Sequence, residues 1–240
     1  MRGCLVSLFF FPAVILIAAW LFLPRIAAPI VGGALGFAGF SASDQVITVT
    51  ADPPIELFAL HADRIHLTAT KATFQGLTMS SVDVTLDDVA LLGRTAGAVS
   101  GTLTGVRFAP SDGPVVTIAS IDLSGTGTHI GATLRLSPAD VKALASDAVK
   151  SALGVAPSRV TLDAPDRATV VVNGVSVGGR LVVDSAGTLS FRPTGILGGF
   201  TGPVVLVSPG PGVPFRIASI AVSPAGVTAS GTVDPSLFGN

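Results

Sequence analysis

Beyond residue 45 the chain is dominated by strict alternation of apolar and polar positions. In "SVDVTLD" (81–87), Val82, Val84 and Leu86 fall on one face of an extended segment, and Asp83, Thr85 and Asp87 on the other. In "RIHLTAT" (64–70), Ile65 and Leu67 oppose Arg64, His66 and Thr68. In "HIGATLRL" (129–136), Ile130, Ala132, Leu134 and Leu136 oppose His129, Thr133 and Arg135. A period of two is the mark of strands with one face on a core and one in water. The same pattern predicts strands near 45–51, 97–108, 115–123, 159–164, 180–184, 187–191, 203–208, 214–222 and 226–233. Asn173-Gly174 lies between two β-rich runs, the dipeptide that a two-residue hairpin turn prefers. One apolar face per strand implies antiparallel pairing.

Residues 137–154, "SPADVKALASDAVKSALG", break the alternation. Val141, Leu144, Ala145, Ala148, Val149, Ala152 and Leu153 follow helical spacing, with Lys142, Ser146, Asp147, Lys150 and Ser151 largely opposite. Ser137 suits the N-cap, Pro138 the first helical position, Asp140 a capping box and Gly154 the stop. The stripe must bury against the apolar sheet face, either plugging a core or leaving a groove.

A third pattern occupies the N-terminus. Residues 4–23, "CLVSLFFFPAVILIAAWLFL", carry no charge over 20 positions. As a helix they reach about 30 Å, the thickness of a bilayer's hydrocarbon core. Arg2 and Arg25 flank the run and Trp20 sits near its end. The reading is a membrane anchor, residues 1–25, that leaves the domain outside the cytoplasmic membrane; a cleaved signal segment with a secreted domain is the alternative. Residues 26–44 form an apolar, Gly/Ala-rich connector, too glycine-rich for a second membrane helix and suited to pack on the domain or lie at the membrane surface. Residues 45–240 form a single β-rich domain.

Composition sharpens this picture. Of 240 residues, 49% are apolar and only 12% charged, where about 25% is usual. A domain so poor in charge hides apolar surface or offers it to something apolar. The net charge of −1 supplies no basic surface for nucleic acid. The single cysteine, Cys4, excludes an intramolecular disulfide and a cysteine-based metal site.

Catalytic patterns are thin. "GVSVG" (174–178) matches a hydrolase nucleophile elbow, but a strand rather than a helix is predicted after Ser176. "GTGTHIG" (125–131) lacks the spacing and the helix of a phosphate loop. His61 and His66 are five apart, an odd spacing that puts them on opposite faces of one strand, and no metal is expected. Asp83, Asp87 and Asp88 read as a solvated face. The expectation is a non-enzyme without a cofactor. A short echo, "VTIASIDLS" (116–124) against "FRIASIAVS" (215–223), matches at five of nine positions and hints at a duplicated sheet unit.

Several segments in order, "LSPADVKALASDAV" (136–149), "VTLDAPDRATVVV" (160–172), "GRLVVDSAGTLSFRP" (179–193) and "PFRIASIAVSPAGVTASGT" (214–232), resemble the LmeA-like phospholipid-binding proteins of actinobacterial cell envelopes. The resemblance implies an exported domain that holds phospholipid in an apolar cavity, for envelope lipid or glycolipid metabolism. It implies an α+β fold, mostly antiparallel β, with a curved sheet wrapped on one main amphipathic helix, as in tubular lipid-binding proteins.

The residue patterns agree with such a groove. Its candidate lining is Val141, Leu144, Ala148 and Leu153 from the helix, with Phe108, Phe191 and Phe215 from strands. Arg135 and Arg216 are either solvent-facing or placed to meet a headgroup. The expected partners are phospholipid or a related envelope lipid and the cytoplasmic membrane. The rival expectation is a non-catalytic structural or protein-interaction domain of the envelope, with a solid core.

Overall fold

The computed structural model describes residues 27–74, 76–91, 93, 95–108, 115–127, 129–194, 202–209 and 215–233, without the side chains of Phe108 and residues 151–153. The expected membrane segment, residues 4–23, lies outside them. Among the described residues no helix is long and apolar enough to cross a membrane.

The fold is mostly antiparallel β, in two sheets with a helix packed against both. Residues 27–37 are helical (α1). The large sheet then takes up β1 (Phe40–Ser41), β2 (Asp44–Thr50), β3 (His61–Phe74), β4 (Leu77–Ala90), β5 (Thr95–Phe108), β6 (Val116–Thr126) and β7 (His129–Leu136). A short 3₁₀ helix, Pro54–Ala59, links β2 to β3. The helix α2 (Pro138–Leu153) follows, then the small sheet of β8 (Arg159–Asp163), β9 (Arg167–Val172), β10 (Val175–Val183), β11 (Leu189–Pro193) and β12 (Val204–Val207). The last hairpin, β13 (Phe215–Ser223) and β14 (Gly226–Val233), returns to the large sheet, whose order is β1-β3-β4-β5-β6-β7-β14-β13 with β2 also on β3. The small sheet runs β12-β11-β10-β9-β8. The strands expected from 159 to 208 thus form a sheet of their own, where a single sheet around the helix was the expectation. The physical reason lies in the apolar stripe of α2, wide enough to be shared between the large sheet and a second apolar layer, while the polar side stays in water.

Inward positions of the large sheet line up in rows. One row is Ala69–Val82–Leu103–Ile121–Leu134–Ala229–Ile220, read directly from the pairing register. The opposite face carries cross-strand polar pairs, the ion pairs Arg64–Asp87 at 2.6 Å and Arg135–Asp122 at 2.6 Å and the hydrogen-bonded His66–Asp83 at 2.9 Å. Exposed pairs of this kind contribute about 0–1 kcal/mol each, so they fix register more than they stabilise.

Strands β3, β4 and β5 are 14 residues each, about 46 Å long. Their alternation is not unbroken. Ala69 and Ala72 are both buried although three apart, and Lys71 between them has a left-handed backbone (φ 48°). The register puts Lys71 opposite Ser80, and Ser80 opposite Gly105 (φ 57°). A Cβ on Gly105 would stand 2.3 Å from the Ser80 Oγ, so only glycine fits there. These three residues form a transverse kink that switches the phase of the buried positions across three strands. Departures of this kind bend and twist a sheet locally.

Two core clusters cover the inner face. The larger joins the large sheet to α2 and the small sheet; the smaller joins Val49, Ile65 and Val89 to Val31 of α1 and Leu57 of the 3₁₀ helix. Between the covers runs a half-buried row, Leu67–Val84–Gly101–Leu123.

Candidate functional site

The helix α2 is built as its sequence dictates. The Ser137 Oγ accepts from the Asp140 N–H at 3.2 Å, and the Asp140 carboxylate accepts from the Ser137 N–H at 3.3 Å, closing the capping box. Gly154 ends the helix in the left-handed region (φ 73°), donating to the Lys150 carbonyl. Val141, Leu144, Ala145, Ala148 and Val149 are buried, while Lys142, Asp147 and Lys150 face water.

Two apolar crevices flank this core. The first, about 20 Å³, lies between Val141, Ala145 and Val149 of α2 and the small sheet, where Leu181, Phe191 and Leu206 close it. The second, about 30 Å³, lies between the two sheets, with Leu189 and Val207 of the small sheet facing Ile118, Leu136, Phe215 and Ile217 of the large one. Every described residue lining either crevice is apolar. Each space accommodates about one or two water molecules by volume, and without polar partners a water gains nothing there. As they stand, the crevices are packing gaps at a seam; an acyl chain enters only if α2 and the small sheet separate.

The ring of Phe191 owes its place to a glycine. A Cβ on Gly179, in the neighbouring strand β10, would come 2.4 Å from the Phe191 Cζ, so the ring lies over bare backbone. The second crevice carries the sequence echo. Val116 and Ile118 of β6 and their counterparts Phe215 and Ile217 of β13 all line it. The pairings Ile121–Leu134 and Ile220–Ala229 sit on either side of the Leu134–Ala229 pair, so the two hairpins are related by a local two-fold between β7 and β14.

Of the residues expected at a groove, Val141 and Phe191 meet at the first crevice and Phe215 lines the second. Leu144 and Ala148 are buried and line neither. The side chains of Phe108 and Leu153 lie outside the described residues. Ala145, Val149, Leu181, Leu206 and Val207 line the crevices without having been singled out. Ala145 and Val149 belong to the predicted stripe of α2, and Leu181, Leu206 and Val207 lie in predicted strands, but those short apolar runs do not tell which sheet they join. Arg135 is on the outer face with Asp122, and Arg216 is exposed.

The catalytic patterns resolve into ordinary structure. Ser176 is exposed in β10, paired in register with Val171, and strand continues after it to Val183. Asn173 (φ 49°) and Gly174 (φ 79°) form the predicted hairpin turn. The one candidate metal cluster among the described residues is Glu56, His61 and Asp63, whose ligand atoms lie within 4.8 Å of one another. Glu56 at 3.9 Å and Asp88 at 3.5 Å already pair with the His61 Nε2, and Asp63 accepts from the Asp52 N–H at 2.6 Å. No protein-family model, curated protein or solved structure matches the chain, so the family expectation rests on the sequence segments alone.

Proposed function

We propose that the chain is an exported, membrane-anchored phospholipid-binding protein, holding or transferring an acyl chain at the seam where α2 meets the small sheet. In this reading the sheets and α2 form a tubular lipid-binding fold, with the domain on the extracytoplasmic side. The observation that carries it is the seam itself: apolar on every side, incompletely filled, and lined from α2 by Val141, Ala145 and Val149. Burial of each CH₂ of an acyl chain contributes about 0.8 kcal/mol, so a dozen hold a lipid without a charged clamp. The half-buried row Leu67–Val84–Gly101–Leu123 extends the apolar surface beyond the seam.

A second reading has its own observation. Among the described residues the two crevices are small, about 20 and 30 Å³, which favours a solid core at the seam and an envelope domain that acts through its surface. Native mass spectrometry of the full chain, extracted in mild detergent, separates the two. The lipid reading expects copurifying phospholipid at near one per chain. Protein that remains lipid-free after incubation with phospholipid vesicles leaves the solid-core reading standing.

A further inference from the structure

The chain immediately after the uncharged run has an unusual surface. Residues 27–37 read "AAPIVGGALGF", a helix without one polar side chain. A helix apolar all round belongs in a protein core or a membrane. Here only one side is packed: Val31 is buried, and Ala27, Ala28 and Leu35 pack against the smaller core cluster. The other side is open, with Phe37 97% and Ile30 63% exposed. The neighbouring 3₁₀ helix repeats the arrangement. Its Leu57 is buried in the same cluster, while Phe58 and Ile55 are 69% and 52% exposed. Isolated exposed apolar residues are ordinary, but here four large ones project from two elements over one cluster.

We propose that this end of the domain docks on the lipid bilayer, with Ile30, Phe37, Ile55 and Phe58 entering the interfacial region. The occupant follows from the chain's course. Three residues, 24–26, separate the uncharged run from the first described residue of α1. That connection reaches at most about 14 Å. If the run spans the bilayer, a reading on which this docking rests, α1 begins at the membrane surface. The recognised chemistry is apolar rather than ionic. No cation lies on residues 27–37, Arg25 precedes them in the sequence, and the charges of Glu56, Asp63 and Asp88 around His61 are acidic. Docking therefore does not need anionic lipid, in contrast to basic surfaces that seek it.

The test uses the full chain with Cys4→Ser and one new cysteine at a time, Ile30→Cys, Phe58→Cys or, on the water face of α2, Asp147→Cys. Each is labelled with a fluorophore and reconstituted into phosphatidylcholine vesicles carrying nitroxide lipids. The expected result is several-fold stronger quenching at positions 30 and 58 than at 147, undiminished without anionic lipid. Equal quenching at all three overturns the docking, as does self-quenching between labels at 58 without lipid quenching, which marks a second copy on the surface. Carbonate extraction of the same vesicles keeps the readings apart. Protein that resists extraction with unquenched labels loses the docking and keeps the anchor; extracted protein that had shown quenched labels loses the anchor and keeps the docking. The double variant Phe37→Asp, Phe58→Asp changes only exposed positions, so its circular dichroism is expected to match the parent while quenching at 30 is lost. Retained quenching at 30 overturns the role of these side chains.

Discussion

The two helices that cover the large sheet are built for different surroundings. The amphipathic α2 buries Val141, Leu144 and Val149 and turns Lys142, Asp147 and Lys150 to water. Its N-cap and C-cap are both satisfied within the chain. By contrast, α1 has three glycines in eleven residues and nothing polar, yet packs as a helix. Propensity alone would not form it; contact with the sheet does. Gly32 faces β2, where a Cβ would meet the Ile47 Cδ1 at 3.4 Å, an ordinary contact, so the helix lies directly against that strand. The comparison teaches that burial on one side shows a helix belongs to the fold, while its other side reports what surrounds the fold. For α2 that is water. For α1 the outer side is apolar, which the docking proposal explains.

Truncation gives the largest contrast. Leu144, 5% exposed in the larger core, is expected to lose about 2–5 kcal/mol of stability as Leu144→Ala in urea unfolding. Phe37→Ala removes a bigger side chain and is expected to stay within about 0.5 kcal/mol of the parent. A large loss for Phe37→Ala would mean that the outer side of α1 is packed. Next come the glycines. Gly226 (φ +133°) would place a Cβ 2.1 Å from the Leu136 carbonyl oxygen, so Gly226→Ala is expected to destabilise by more than about 1 kcal/mol. Gly33 in α1 meets nothing within 4 Å, and Gly33→Ala is expected to stabilise by about 0.5–1 kcal/mol. Thermal unfolding of the pair checks the opposite signs. At the α2 N-cap, Ser137→Ala should cost about 1 kcal/mol, read in the same urea titration.

Much of the fold is legible because alternation and capping are local. The strand 129–136 and the helix after it appear with the predicted residues, and Asn173-Gly174 turns the hairpin as read. Three features escape for physical reasons. The division into two sheets depends on what lies across α2, which no single strand records. The kink through Lys71, Ser80 and Gly105 shifts the buried phase, so Ala72 is buried where strict alternation from Ile65 and Leu67 would expose it. The connector's helix is made by contact with Ile47 and Val49 rather than by propensity. The candidate site is half legible: the stripe of α2 names Val141, while the opposing wall of Leu181, Phe191 and Leu206 exists only once the small sheet has formed.

In the proposed function, the seam between α2 and the small sheet opens to take an acyl chain. Ala145 of α2 and Leu206 of β12 both line the first crevice, one from each wall of the seam. With Cys4→Ser, the pair Ala145→Cys and Leu206→Cys can be joined by oxidation or by a short bifunctional thiol reagent, and lipid uptake from phosphatidylcholine vesicles measured before and after. The account predicts uptake by the open form, little or none by the bridged form, and recovery when an oxidised bridge is reduced. Equal uptake with the seam bridged would contradict it.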